Sequence, residues 1–358
     1  MVPQCEIPGD SKLAIRKRID MNEPHTHISK SEEDSAPICH DAAAVHGEGL
    51  ERMFLDYYGL NEQPFGVTPD PKFLYLGSKH REALTALTYG TELNRGILTL
   101  VAKPGMGKTS ILFQYLDQLQ KKARVAFLFQ TDGNARDLMR QLLADLDLDG
   151  GTRDLVQMRL TFNRFLTEQM LAGRPFVLVI DEAQNLDEKV LEFIRLLSNF
   201  EKPSMKLMQI VLAGQPQLAE RLAKPSMAQL RQRVSFAIRI EPLTRYEIDQ
   251  YINHRLCVAG YTGLPLFHVG AQALLAERSE GIPRNINNLC FCAMSFAWAM
   301  KQERIDRETL RDALSDLDTG SPYQNEVLAP KSPGEVKLSA SQTVGRGGLA
   351  TEGPSGGG

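Results

Sequence analysis

No stretch of the 358-residue sequence approaches the roughly 18 uninterrupted apolar residues that a membrane-spanning helix needs. The first residues, broken by Pro3, Pro8 and Asp10, lack the apolar core of a secretion signal. The five cysteines are odd in number and scattered as Cys5, Cys39, Cys257, Cys290 and Cys292, so they make neither a disulfide framework nor a paired zinc spacing. Charge of one sign is missing too: 41 basic residues face 44 acidic ones, a net of −3, and nothing global calls for nucleic acid or an anionic membrane surface. These absences predict a soluble, cytoplasmic protein in a reducing compartment. With 42% hydrophobic residues, the chain can build a substantial core, expected as one large domain and a smaller one.

What is present is organised around Val101-Ala-Lys-Pro-Gly-Met-Gly-Lys-Thr-Ser110, fed by the apolar run that starts at Ile97 and followed by a helical pattern. This is the strand, loop and helix of a phosphate-binding P-loop. Gly105 and Gly107 let backbone N–H groups turn inward, Lys108 reaches the terminal phosphates, and Thr109 offers its hydroxyl to magnesium. The helix opening at Thr109 adds its positive dipole end. ATP and Mg2+ are therefore the implied cofactors, with Pro104, Gly105, Met106, Gly107, Lys108, Thr109 and Ser110 around the phosphates. Ala102 stands where the usual pattern has its first glycine, a position that tolerates one methyl.

Residues 1–52 are polar, of mixed charge, and carry Pro3, Pro8, Pro24 and Pro37 without a sustained period, so they are expected to be a disordered extension. His25, His27, Cys39, His40 and His46 within it match no metal-site spacing. Met53 stands just before the first clearly ordered text and is an alternative start. An aromatic and proline-rich segment, 54–75, is expected to pack against a core. Helices are then predicted over 80–93, 109–122, 135–146, 154–171 and 187–200. Apolar runs predict strands at 97–101, 125–129, 176–180, 207–214 and 236–240. From Pro242 only helical patterns follow, over 244–259, 270–279, 284–301 and 307–317, and a Pro-, Gly- and Ser-rich tail closes the chain. The expected organisation is an α/β domain over 53–241, a helical domain over 242–318 and a disordered tail over 319–358.

The strand Phe176-Val-Leu-Val-Ile180 ends in Asp181 and Glu182, at the carboxyl edge where open α/β sheets bind ligands. Asp181 is expected to hold magnesium, directly or through water, and Glu182 to polarise the water attacking the γ-phosphate. The strand ending at Gly214 presents Gln215 beside Glu182, either to orient the same water or merely to cap the next helix. Gly281-Ile-Pro-Arg284 puts an arginine at the start of a helix, within reach of a cleft. Arg231 and Arg233 precede the last strand. Arg221, Lys224, Arg231, Arg233, Arg239 and Arg245 lie close in sequence but are interrupted by Glu220, Glu241 and Glu247, so a basic DNA-binding face is a minor expectation.

With these pieces in place, the sequence resembles the AAA+ ATPases related to general secretion pathway protein A. The resemblance covers about 53–317 and is carried by Tyr58-Gly-Leu60 with Pro64-Phe65, Pro69-Asp-Pro71 through Tyr75, His80-Arg-Glu-Ala-Leu84, Asp181-Glu-Ala-Gln184, Gly214-Gln-Pro216 and Gly281-Ile-Pro-Arg284. It implies a five-stranded parallel sheet ordered 5-1-4-3-2 with a small helical lid. By position, Gln215 matches the first sensor, Arg284 the second, and Arg233 the arginine finger, with Arg231 its competitor. It also implies a homo-oligomer in which the finger serves a neighbour's site, and a protein partner in a secretion or export system. The departures are Ala102 and the lack, in this sequence, of the membrane span and peptidoglycan-binding region of the secretion proteins. Similar stand-alone ATPases resemble DNA-binding transposition helpers, the alternative role.

Overall fold

Five short runs of aliphatic residues pair into one parallel sheet. The computed structural model describes residues 41–320 apart from 67, 121, 130–132, 149–153 and 203–204. The disorder expected for 1–40 and 321–358, and His25, His27, Cys39 and His40, fall outside the described residues. The strands are β1 (Ile97–Val101), β2 (Arg124–Leu128), β3 (Phe176–Ile180), β4 (Met208–Gly214) and β5 (Val234–Arg239). They are ordered β2-β3-β4-β1-β5 with every neighbour parallel. This is the 5-1-4-3-2 order that the resemblance implies. Strand ends fall within two residues of the predicted ones.

The three central strands are buried along their whole length because helices cover both faces. Alternate residues go to opposite layers. Ile97, Leu178, Ile180, Ile210 and Leu212 enter one apolar cluster, and Leu98, Leu100, Val177, Val179 and Val211 enter another. In chain order the helices are α1 (Asp41–Tyr58), α2 (Ser78–Glu92), α3 (Lys108–Leu119), α4 (Ala135–Asp145), α5 (Leu155–Leu171), α6 (Glu188–Leu197), α7 (Pro216–Ala223) and α8 (Ala228–Arg231). Helices α2 and α3 cover the Leu98 face, and α4 to α7 cover the Ile97 face. A short antiparallel pair, Glu201–Lys202 with Met205–Lys206, was not predicted. Two residues per strand give no periodic signal.

Past the sheet come α9 (Arg245–Val258), α10 (Val269–Ser279), α11 (Pro283–Ala299) and α12 (Arg307–Gly320), the predicted helical layer. The described residues up to Ser315 form one compact unit. Thr244 and Glu247 form a capping box that starts α9, and Pro283 opens α11. Gly281 has φ +70°, and a Cβ there would lie 2.3 Å from the Leu243 carbonyl oxygen, so only glycine permits this crossing. Among the described residues no helix is long and apolar enough to cross a membrane.

Two expectations for the start of the chain need correction. Residues 41–52 are helical rather than irregular, since α1 already begins at Asp41. Its last turns are anchored by Phe54, edge-on to Trp298 at 5.8 Å, and by Tyr58, whose hydroxyl donates to the Met294 carbonyl at 2.8 Å. A docked end removes the nucleation cost and lets the helix extend backwards. Secondly, the aromatic segment packs against a core as expected, but that core is the helical layer's and not that of the α/β domain to which the bounds 53–241 assign it. Phe54, Tyr58, Leu60, Phe65 and Phe73 share one core with Ile248, Tyr251, Ile252 and Met294. The Arg255 guanidinium stacks 4.8 Å over Phe73 and donates to the Pro64 carbonyl, tying the two segments together.

Candidate functional site

The loop from Ala102 to Gly107 leaves the carboxyl end of β1 and runs into α3. Gly105 and Gly107 have φ +78° and +79°, conformations that an L side chain adopts only under strain. Ala102 is buried, and its N–H donates to the Gly214 carbonyl at 3.1 Å, continuing the pairing of β1 with β4. Its methyl fits within the apolar layer, so the missing first glycine leaves the loop intact. Met106 is buried in the same layer. Its carbonyl is held by His80 Nε2 at 3.0 Å. A carbonyl only accepts, so that nitrogen carries the proton. Burial lowers the His80 pKa against the opposing effect of this bond, keeping the ring neutral.

At the end of β3 the two acids meet the loop. Lys108 Nζ donates to Asp181 Oδ1 at 2.8 Å and to Glu182 Oε1 at 2.6 Å. Thr109 Oγ1 donates to Asp181 Oδ2 at 3.0 Å. Asp181 is fully buried, and Glu182 sits at φ +53° with its side chain 24% exposed. Burial raises the Glu182 pKa, but hydrogen bonds from Lys108, Gln184 and Gln215 and the charge of Lys108 outweigh it and hold the carboxyl below its usual range. Gln215 heads α7 yet makes no side-chain capping bond. Its amide instead donates to Glu182 Oε2 at 3.3 Å, which excludes the capping alternative.

The lid reaches the loop through the start of α11. Arg284 N–H donates to the Gly105 carbonyl at 3.2 Å. A Cβ on Gly105 would lie 2.7 Å from Arg284 Cβ and 3.2 Å from Ile282 Cγ2, so the glycine also makes room for the lid. The Arg284 side chain is exposed beside the loop. Pro104, Gly105, Met106, Gly107, Lys108, Thr109, Ser110, Asp181, Glu182, Gln215 and Arg284 thus gather around one edge of the sheet.

Arg233 does not join them. It immediately precedes β5, at the amino edge, and Val234 pairs in register with Ile97. The five residues of β1, at about 3.3 Å each, therefore separate it from the P-loop by about 16 Å. Its Nη1 donates to Ser198 Oγ at 3.4 Å, and it lines a shallow pocket with Arg95 and Lys206. Arg231 is committed elsewhere, donating to the Ala223 carbonyl at 2.9 Å and to that of Leu222. Sequence reasoning missed two residues of the site, His80 and Gln184. Both stood inside texts that carried the resemblance, but neither belongs to a motif with a known chemistry.

A parallel sheet with a P-loop after one strand, an acidic pair after another and a helical lid on the loop defines a P-loop ATPase of the AAA+ class. The AAA domain profile matches residues 91–222. The chain is similar to general secretion pathway protein A of Aeromonas hydrophila, with 36% identity over 260 residues, 71% of its length. It spans about half of that relative, 46%. Solved structures share the fold at low identity. The ORC2 protein of Aeropyrum pernix is 12% identical with a TM-score of 0.52, over 72% of each chain. Cdc6p of Pyrobaculum aerophilum is 17% identical with a TM-score of 0.52, over 70% of this chain and 71% of its own. A chain of Drosophila ORC bound to DNA is 17% identical with a TM-score of 0.54, over 81% of this chain and 71% of its own.

Proposed function

We propose that the chain is a cytoplasmic, magnesium-dependent ATPase whose turnover drives the assembly or remodelling of a protein complex in a secretion or export system. The observation that carries the hydrolytic part is the convergence of Lys108 and Thr109 with Asp181 and Glu182 at one sheet edge. Thr109 Oγ1 and Asp181 Oδ2, 3.0 Å apart, are the hard oxygen donors that would hold Mg2+, which neutralises phosphate charge when bound. Lys108 turns from the acids to the phosphates. Glu182 then accepts the proton of the attacking water, which Gln215 orients. Arg284 reaches the phosphates from the lid. Arg233, too far from its own loop, serves as the finger of a neighbouring copy, so the active form is an oligomer. On this reading 53–241 carries the chemistry and 242–318 senses the nucleotide.

The secretion role is supported by the relation to general secretion pathway protein A. The rival role, a DNA-binding helper, draws on the basic residues around Arg233. Four of these are engaged within the chain: Arg221 with the Leu186 carbonyl, Lys224 with Glu188, Arg231 with the Leu222 and Ala223 carbonyls, and Arg233 with Ser198. That favours the protein-complex reading. The test is Glu182→Gln, titrated with a fluorescent ATP analogue and assayed for phosphate release. Binding is expected within about twofold of wild type with turnover lost by about 10²-fold or more. Hydrolysis at the wild-type rate would remove Glu182 as the base.

A further inference from the structure

Gln184 has no part in the reading above, yet it ties Glu182 to the end of β4. The left-handed turn at Glu182 and the short 3-10 turn Ala183–Asn185 fold the chain back, so that the Gln184 side chain lies over Gly214. Gln184 Nε2 donates to Glu182 Oε2, while its Oε1 accepts the backbone N–H of Gln215 at 2.9 Å. An N–H only donates, so the amide can face only one way. The space it occupies exists because residue 214 is glycine: a Cβ there would stand 2.8 Å from Gln184 Oε1.

The two oxygens of Glu182 are therefore held by different kinds of partner. Oε1 is held by Lys108, a flexible side chain that has its own task at the phosphates. Oε2 is held by Gln184 and, at 3.3 Å, by Gln215, both fixed to the end of β4. We infer that Gln184 is a positioning residue that anchors Oε2 of Glu182 to β4, so that Oε1 is the oxygen presented to the attacking water once Lys108 has left it. The inference rests on Glu182 being the general base. A simpler role would be a brace between β3 and β4 through the Gln215 N–H, with no consequence for the carboxylate.

Two variants of the full chain separate these roles. Gln184→Glu keeps an acceptor for the Gln215 N–H but sets an acceptor against Glu182, whereas Gln184→Met loses both bonds at similar volume. If Gln184 positions Glu182, kcat at saturating ATP falls about tenfold in Gln184→Met and at least as far in Gln184→Glu, with the Kd of a fluorescent ATP analogue changed by no more than about threefold. A brace predicts the opposite order: Gln184→Glu turns over and melts like wild type, and Gln184→Met is impaired in both. Wild-type kcat in either variant overturns the inference. Should Gln184→Met fail to fold, Gln184→Glu alone decides by the same kcat and Kd criteria. Glu182→Gln turning over normally would remove the base itself. An inactive Glu182→Gln beside an active Gln184→Glu would remove only the role given to Gln184.

Discussion

Removing the Lys108 side chain should cost stability as well as nucleotide binding, and the size follows from burial. The Lys108 side chain is 8% exposed, Asp181 0% and Glu182 24%. Deleting one partner of a buried ion pair leaves the other charge uncompensated and costs about 3–5 kcal/mol. Glu182 is partly wetted and water can enter the space left by three methylenes and the ammonium, so the lower end, about 3 kcal/mol, is expected for Lys108→Ala. For a unit of this size that is a drop in Tm of about 6–12 °C. The pH dependence has a definite sign. In the wild type the Glu182 pKa lies below its unfolded value, so its contribution is complete above that value and is lost as pH falls through the folded one. The gap between wild type and variant should therefore be full at about pH 7 and narrow below about pH 4.3. Adding Mg-ATP at about a hundred times its Kd should widen the gap by about 2.7 kcal/mol, because only the wild type binds. The assay is thermal unfolding followed by circular dichroism and by the fluorescence of the single tryptophan, Trp298, in the helical layer. A variant melting within about 2 °C of wild type at pH 7, or a gap that grows in acid, would refute the reasoning.

Arg233→Ala should bind ATP normally but hydrolyse it about 10³-fold more slowly, and mixing it with Glu182→Gln should recover part of the activity through interfaces that pair an intact Glu182 with an intact Arg233. No recovery, with specific activity independent of protein concentration, would make the arginine structural. Glu247 accepts the Ser78 N–H at 2.6 Å and the Thr244 N–H at 2.9 Å, joining the start of α2 to that of α9. Burial raises its pKa, but these backbone donors prevail and bring it down to about 2. Glu247→Gln should destabilise by about 2 kcal/mol above pH 4.5, and the loss should fade as pH falls towards about 2, as chemical unfolding across that range would show.

Much of this protein is determined locally and was legible in the sequence. The P-loop is a contiguous strand, turn and helix, so residues 97–119 carry their own instructions: an apolar run, two glycines in left-handed backbone, and a helix of apolar residues three and four apart. Asp181 and Glu182 were readable because a buried parallel strand must end where its apolar run ends. What tertiary structure alone decided are contacts between residues far apart in the chain. No periodicity in 54–73 says that its aromatics belong with Tyr251 and Met294. Nothing around Arg284 says that its N–H lies against the Gly105 carbonyl. Nor does the text at 181–184 say that Gln184 spans to Gln215, or that Gln215 forgoes its own helix for Glu182. Period and turn chemistry are properties of neighbours in sequence. The arrangement of an amide, a carboxylate and an ammonium around one point depends on strand order and register, and these emerge only when the sheet closes its two apolar layers together.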